Sequence, residues 1–362
     1  MKYLAVLGRQ SEISVTEIEL LFGGVEKKSD EIAEFESSIV PNVDRLGGSM
    51  KIAKKIKGSV LEYLFKIPDG KITIGISDYS ENASKKTATM EALKLKKILV
   101  RHGRSVRVVE NKVAVLSTAT SLYNGLSGKN ERKIELVKVN SNWYKVIGVQ
   151  DIDAYAKRDQ ARPARDAKVG MLPPKLAQIL INLCGPLPEG ATVLDPFCGT
   201  GVVLQEALLM DYRAYGTDIS ERMVEYSDKN LKHFDFKNYE VEVGDATSFH
   251  WNQPIDAVAC EGYLGKPFAK IPSEMELKEQ KQECGAIVLG FLKNLADQVK
   301  ASTPVTIAVP AWLRENKTYE RLDILDLIDK LGYNVENKSR EGLLYHRDNQ
   351  VVARDIIILR KK

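Results

Sequence analysis

In the first 150 residues the apolar positions come in short bursts, most of them strand-length. Residues 1–8 read as a strand that stops at Gly8. Ser14-Val15-Thr16-Glu17, placed ahead of Ile18 and Leu20-Leu21, has the spacing of a capping box and predicts a short helix. Gly23-Gly24 ends it. Strand-like pieces follow at Ile32–Ser37 and Met50–Ile56, on either side of Leu46-Gly47-Gly48. Lys71–Ser77 alternates apolar and polar residues, the period of a half-buried strand. Lys85–Gly103 predicts a helix whose apolar stripe is Met90, Leu93, Ile98 and Leu99. Strands are expected at Ser105–Val109, Val113–Leu116, Ile134–Val139 and Trp143–Val149, with a short helix at Ser121–Leu126. The pattern describes two small α+β units in succession.

Beyond residue 150 the rhythm changes. Residues 157–166 are polar, with three arginines and a proline, and read as a linker. Met171-Leu172-Pro173-Pro174 leads into a helix over Lys175–Leu183, with proline near its start. From residue 191 strands and helices alternate, which predicts a parallel sheet covered by helices. The expected strands are Thr192–Leu194, Arg213–Gly216, Tyr239–Val243, Ala257–Cys260 and Val305–Val309. The expected helices are Val202–Met210, Ser220–His233, Glu274–Lys300 and Tyr319–Leu331. Tyr333–Lys338 and Arg354–Leu359, joined by a polar turn around Arg347-Asp348-Asn349, read as an antiparallel hairpin added to the sheet edge.

Charge sharpens this division. The net charge of +4 over 362 residues says little. Residues 51–150, however, carry 20 basic against 8 acidic residues, a local +12 between stretches that are each −4. A concentrated basic segment is the electrostatic footprint of a polyanion binder. Composition excludes other classes. Apolar residues make up 44% and charged residues 28%, as in globular domains. No apolar run is long enough for a membrane span or a signal peptide. The four cysteines are far apart with no C-x-x-C, and the four histidines form no metal-ligand spacing. This argues against a disulfide scaffold or a metal centre and fits a reducing cytoplasm.

The candidate chemistry begins at Asp195-Pro196-Phe197-Cys198-Gly199-Thr200-Gly201, where the first strand of the alternating region gives way to a helix. Gly199 and Gly201 allow a tight turn and close approach to a ligand. The dinucleotide fingerprint is broken by Leu204, and a phosphate loop would need G-K-[ST]. Asp195 ahead of the glycines suits a ligand with an amino group or positive charge instead. Asp218, beside Ile219, follows the second strand, where a carboxylate can accept from a ribose diol. Asp245-Ala246 follows the third, placed to meet an adenine amino group. Three acids at three successive strand ends describe an adenosyl ligand without phosphates, as in S-adenosylmethionine.

The loop Asp195–Gly201 resembles that of the RNA-type, Rossmann-fold S-adenosylmethionine methyltransferases. Upstream, Arg158-Asp159, Arg162-Pro163, Arg165-Asp166 and Gly170–Ala177 are similar to the linker and first helix of the THUMP-containing tRNA guanosine-N2 methyltransferases. Gly8-Arg9, Glu12-Ile13-Ser14, Glu17, Leu46-Gly47-Gly48 and Lys51-Ile52 resemble that family's ferredoxin-like front domain. Leu116-Ser117, Leu122, Asn124 and Leu126 fit its THUMP module. The resemblance covers nearly the whole chain. It implies an α/β protein: a ferredoxin-like domain (1–60), a THUMP RNA-binding domain (61–150), a linker (151–171) and a Rossmann-like methyltransferase domain (172–362). It also implies methyl transfer to the exocyclic N2 of a tRNA guanosine, most familiarly guanosine 10. The cofactor would be held by Asp195, Phe197, Cys198, Gly199, Thr200, Gly201, Asp218, Ile219, Asp245 and Ala246. Lys94, Lys96, Lys97, Arg101, Arg104 and Arg107, with Arg158, Arg162 and Arg165 of the linker, are the candidate RNA contacts. They would supply position and affinity rather than base specificity. The reading calls for no metal, membrane or protein partner.

After the fourth strand such amino-methyltransferases carry D/N-P-P-Y. This chain has Cys260-Glu261-Gly262-Tyr263-Leu264-Gly265. A guanine N2 amine is a weak nucleophile because its lone pair is delocalised into the ring. A carboxylate and a backbone carbonyl that accept its two hydrogens localise that pair, and an aromatic ring stacks on the base. Glu261, the Gly262 carbonyl and Tyr263 can fill these roles, with Lys266 and Phe268 lining the base pocket. Glycine keeps the carbonyl but gives up proline's fixed φ. Two alternatives stay open: an RNA-binding protein that kept the fold without turnover, and an amino-methyltransferase acting on DNA or on a protein glutamine. A hydrolase is excluded for want of a nucleophile elbow.

Overall fold

The computed structural model describes residues 1–165, 172–337, 342–347 and 350–362. Asp166, Gly170, Met171, Lys338, Asp348 and Asn349, on which parts of the reading above fall, lie outside the described residues. The chain divides into two compact units, Met1–Tyr155 and Ala156–Lys362.

The first unit contains β1 (Lys2–Leu7), α1 (Ser11–Phe22), β2 (Glu26–Lys27), β3 (Ile32–Glu36), β4 (Ser49–Lys55), α2 (Val60–Phe65), β5 (Ile72–Asp78), α3 (Lys85–Arg101), β6 (Val106–Val108), α4 (Thr118–Tyr123), β7 (Lys133–Val139) and β8 (Asn142–Val149). One sheet of order β2-β3-β1-β4-β8-β7-β5-β6 runs through it. Its joint is the antiparallel pair β4–β8, from Lys51↔Val149 to Lys55↔Tyr144. Residues on either side of position 60 therefore share a single sheet.

A buried polar cluster reinforces that joint. Lys51 of β4 donates to Glu135 of β7 (2.6 Å), to Ser121 Oγ (2.9 Å) and to the Leu116 carbonyl (2.7 Å). Ser77 and Ser121 also donate to the Glu135 carboxylate. Both charged side chains are at most 2% exposed.

Several local expectations are corrected here. The helix at the N-terminus begins at Ser11, and Ser14-to-Glu17 is not a capping box. Ser14 Oγ donates to the Gln10 carbonyl, while the buried Glu17 carboxylate accepts from the Gly47 and Gly48 amides, both at 2.9 Å. β5 is buried along its whole length rather than on one face, because it lies inside the sheet with parallel neighbours β6 and β7. α3 buries Ala88, Ala92, Leu95 and Leu99, whereas Met90 and Leu93 are more than half exposed. Val113–Leu116 forms no strand.

α5 (Ile152–Gln160) occupies much of the stretch read as linker. The second unit continues with α6 (Pro174–Asn182), β9 (Thr192–Asp195), α7 (Val202–Leu209), β10 (Arg213–Asp218), α8 (Glu221–His233), β11 (Tyr239–Val243), β12 (Ala257–Glu261) and α9 (Glu274–Ala296). It ends with β13 (Pro304–Leu313), β14 (Tyr319–Arg321), α10 (Leu325–Lys330), β15 (Tyr333–Val335), β16 (Leu344–Tyr345) and β17 (Val352–Lys361). The helix expected over Tyr319–Leu331 is thus a strand paired with β13 followed by a short helix.

The sheet order is β11-β10-β9-β12-β13-β17-β15. β9 to β13 are mutually parallel, and β17 runs antiparallel between β13 and β15. This is a Rossmann-like α/β arrangement. Its core is apolar, with Leu194, Val258, Phe291, Ile307, Trp312 and Ile357 fully or almost fully buried. The chain leaves β9 toward β10 on one side and later returns to β12 on the other. That reversal opens a crevice beyond the carboxyl ends of β9 and β12, the place where open α/β sheets bind ligands.

Candidate active site

A cavity of about 980 Å³ lies at those strand ends. Four of the five parallel strands deliver an acid to it: Asp195 from β9, Asp218 from β10, Asp245 just past β11, and Glu261 from β12. Among the described residues Lys266 and Arg354 are the cations lining it.

The glycine loop is shaped by sterics. Gly201 caps α7 with φ +82°, in the left-handed region, and a Cβ there would sit 2.3 Å from Ser227 Oγ. Cys198 N–H donates to the Thr217 carbonyl (2.9 Å), tying the loop to β10. Asp218 accepts from Gly199 N–H (3.0 Å) through one oxygen and Ser220 N–H (2.9 Å) through the other. Each oxygen keeps a lone pair for a further donor. Burial raises the Asp218 carboxyl above the usual range in spite of these bonds.

Asp195 is 2% exposed and accepts from Phe197 N–H at 3.1 Å. Burial pushes its carboxyl well up, and the Asp218 and Glu261 carboxylates push it further. A buried acid in that state favours a cationic neighbour. Asp245 is the contrast: it is exposed, and Thr247 donates to it from both N–H (2.9 Å) and Oγ1 (2.7 Å), which lowers its carboxyl. Ile219 lines the cavity although it is 73% exposed. Phe197, Cys198, Gly199, Thr200 and Ala246 line it as well.

The second half of the site is the loop after β12. Gly262 N–H donates to the Ala308 carbonyl of β13 (2.9 Å), an anchor proline could not make. Tyr263 is 37% exposed, and burial followed by the Glu283 carboxylate raises its phenol. Gln280 of α9 braces this loop, accepting from Lys266 N–H (2.7 Å) and donating to Glu283 (3.0 Å). Gly265 has φ +79°, and a Cβ there would sit 2.3 Å from Gln280 Oε1. Phe268 also lines the cavity. Glu261 itself is ion-paired with Nε of Arg354 from β17. Burial raises its carboxyl, and the arginine opposes that rise.

Sequence reasoning missed Arg354, Gln280 and Glu283. None has a local signal, because each reaches the site only through strand order or helix packing.

The candidate RNA contacts separate into two groups. In the first unit Lys94, Lys97, Arg101 and Arg107 are exposed. Lys96 and Arg107 share a hollow of about 520 Å³ with Lys71, beside β6. The Arg104 guanidinium is instead spent on the Ile67 and Pro68 carbonyls (2.8 and 2.9 Å). In the second unit Arg165 is exposed, but Arg158 pairs with the buried Glu206 at 3.0 Å. Arg162 is 3% exposed and donates to Asp159 and Thr200. Arg158 and Arg162 thus already have partners within the unit, and contact of either with RNA is a proposal.

Among the described residues no helix is long and apolar enough to cross a membrane, and no cluster of metal-ligating side chains occurs. The cysteines are buried and free.

Comparison with known proteins bears on the same region. Residues 187–314 match a family model described as a methyltransferase domain, and residues 83–229 one described as a DNA methylase. A tRNA (guanine(10)-N2)-dimethyltransferase of Methanothermobacter thermautotrophicus is 41% identical over 200 residues, 55% of this chain and 53% of that protein. Its namesake from Pyrococcus abyssi is 41% identical over 103 residues, 28% of this chain and 27% of that protein. The chain thus spans about half the length, or less, of these curated relatives. The crystal structure of TrmN from Thermus thermophilus aligns over 100% of both chains at 15% identity, with a TM-score of 0.48. The stretch matched as a methyltransferase domain holds the five carboxylates that the described residues bring to the cavity, Glu283 included, while Arg354 lies outside it.

Proposed function

We propose that this chain is an S-adenosylmethionine-dependent methyltransferase acting on the exocyclic N2 of a guanosine in tRNA. The observation that carries the reading is one juxtaposition: Asp195 and Glu261 end neighbouring strands and line one cavity, with Tyr263 two residues beyond Glu261. The names of the relatives point the same way.

The residues present fit the cofactor. Among the described residues acids outnumber bases around the cavity, which suits a ligand with a sulfonium and an amine. Asp218 has acceptor capacity left for ribose hydroxyls, and the exposed apolar Ile219 offers a surface for a purine face. Asp195, Asp218 and Ile219, with the Phe197–Gly201 loop and Asp245-Ala246, would hold it. When bound, S-adenosylmethionine supplies an electrophilic methyl group and leaves as a neutral thioether. Glu261 accepts one N2–H of the guanine, directs the nitrogen lone pair outward and takes the proton that is released. Tyr263 stacks on the base, and the Gly262 carbonyl accepts the second hydrogen.

Residues 1–60 and 61–150 are proposed as ferredoxin-like and THUMP modules that grip tRNA through the exposed basic side chains of α3. Residues 151–171 join them to the catalytic domain at 172–362, and the protein works in the cytoplasm. The test is methyl transfer from labelled S-adenosylmethionine to unmodified tRNA, with duplex DNA as a competing acceptor and nucleoside analysis of the product. N2-methylated guanosine, lost in both Asp195→Ala and Glu261→Ala, is the expected result. Transfer to DNA alone, or tRNA binding with bound cofactor and no transfer, would overturn it.

A further inference from the structure

Among the described residues, the antiparallel tail of the second unit brings one charged side chain, Arg354, to the lining of the cavity. β17 pairs with β13 in the register Ala308↔Ile356 and Pro310↔Arg354, and β13 pairs with β12 through Ala308↔Glu261. Arg354 thus lies one strand beyond β13, two residues further toward the cavity end than the position level with Glu261. Its side chain is 7% exposed and that of Glu261 is 15% exposed. The neighbouring Asp355 contacts Arg321 at 3.8 Å, as the alternation of a strand requires. The tail therefore does more than close the sheet.

We propose that Arg354 is the positioning residue for Glu261: its Nε–H fixes Oε1, so that Oε2 is presented to the amine of the base. The inference rests on the reading of the site given above. A glutamate carries one more rotatable bond than an aspartate, and an unheld side chain would spread over several rotamers. A charge-assisted hydrogen bond from a planar guanidinium restricts both position and tilt.

The same contact governs ionisation. Asp195 at the end of β9 interacts with Glu261 as a like charge, and Asp218, Lys266 and Glu283 line the same cavity. Arg354 is the cation in direct contact, and it opposes the upward push of burial. An ionised Glu261 is needed to accept the amine proton, so without Arg354 the acid limb of the reaction should move to higher pH.

The experiment uses the full chain in three forms: wild type, Arg354→Lys and Arg354→Met, each checked by thermal melting. The Glu261 carboxyl is titrated by ¹³C NMR in selectively labelled protein, with Glu261→Gln to assign the signal. Single-turnover methyl transfer to tRNA is measured across pH at saturating S-adenosylmethionine. In Arg354→Met the carboxyl should titrate at higher pH. Transfer near pH 6 should fall roughly tenfold or more, with much of the loss recovered toward pH 9. Arg354→Lys should lie between, since it keeps the charge but not the geometry. Cofactor affinity should change little in either. An unmoved Glu261 titration, or a loss of transfer equal at every pH, overturns the proposal. A wild-type chain that transfers no methyl to any RNA overturns the reading of the site. The carboxyl titration decides the Arg354–Glu261 contact by itself.

Discussion

Glu135 in the first unit, fully buried, and Glu261 in the second, partly buried, are both carboxylates paired with a cation from another strand. Glu135 is fully buried, and Lys51, Ser77 and Ser121 all donate to it. Lys51 in turn spends its remaining donors on Ser121 and on the Leu116 carbonyl. That cluster is closed. Glu261 meets Arg354 at the edge of a cavity and keeps acceptor capacity facing it. The difference teaches what each pair is for. A saturated buried pair selects one arrangement of strands and loops. A pair with acceptor capacity left is held ready for a partner from outside.

If that distinction is right, removing the charge of Glu261 should strike turnover and spare the fold. Glu261→Gln is expected to lower methyl transfer by roughly 10²–10⁴-fold, the range for a lost general base. Its melting temperature should fall by at most a few degrees, because the amide oxygen still accepts from Arg354 although the guanidinium loses its counter-ion. Radiolabel transfer and calorimetry on the same sample check both statements. A large drop in melting temperature would mean that Glu261 is structural after all.

Lys51→Met makes the opposite case. It leaves Glu135 buried without its cation, which costs about 3–5 kcal/mol. Adding Glu135→Leu should recover part of that loss, because the stranded charge goes, though Ser77 loses its acceptor and Ser121 keeps only the Ser117 carbonyl. Urea denaturation of the single and double variants reads the difference directly. A double variant no more stable than the single one would show that hydrogen bonding rather than charge holds the cluster.

Asp195→Asn should separate stability from function. Burial, with Asp218 and Glu261 nearby, raises the folded-state carboxyl pKa well above its unfolded value. The folded state therefore binds this proton more tightly than the unfolded chain does. The contribution to stability is full below the unfolded pKa and is lost as pH rises through the folded pKa. An asparagine can still accept from Phe197 N–H and carries no charge to strand. The variant is expected to melt a few degrees higher at pH 7–8 than the wild type, with no gain near pH 3. It should also bind S-adenosylmethionine more weakly. Equal melting temperatures across that range would show that Asp195 is better solvated than its burial implies.

These sites were unequally legible in the sequence. The Asp195–Gly201 loop and the acids at 218 and 245 could be read because strand, turn and ligand position are consecutive there. Arg354 could not, since it lies 93 residues from Glu261 and meets it only through the order β12-β13-β17. The inner face of α3 was legible but misread. Ala88, Ala92, Leu95 and Leu99 recur at helical spacing, and Leu99 belongs to the expected stripe, but two of the four are alanines, whose apolar signal is weaker than that of the exposed Met90 and Leu93. Small residues let the helix come close to the isoleucines of β5, so the buried face is the less hydrophobic-looking one. Glu17 shows the converse failure: the capping-box spacing was present, but a tertiary partner at Gly47 and Gly48 took the carboxylate.

The smallest effect is expected where the sequence departs from the D-P-P-Y pattern. Glycine at 262 gives up proline's fixed φ, but its N–H is held by the Ala308 carbonyl. A methyl group at this position would meet Ile307 Cδ1 at 3.3 Å, the tip of a flexible side chain, and φ is not in the left-handed region. Gly262→Ala should therefore gain a few tenths of a kcal/mol from the unfolded state and lose a similar amount to the close contact, netting within about 0.5 kcal/mol. Transfer should stay within about threefold, since the carbonyl and the amide bond are both kept. Gly262→Pro keeps the carbonyl but cannot donate to Ala308, so it should cost about 1 kcal/mol or more in stability. Measured together, the pair shows whether Glu261 is aligned by the backbone bond or by the space that glycine leaves. A collapse of transfer in the alanine variant would favour the space, and would place the base directly against Cα of residue 262.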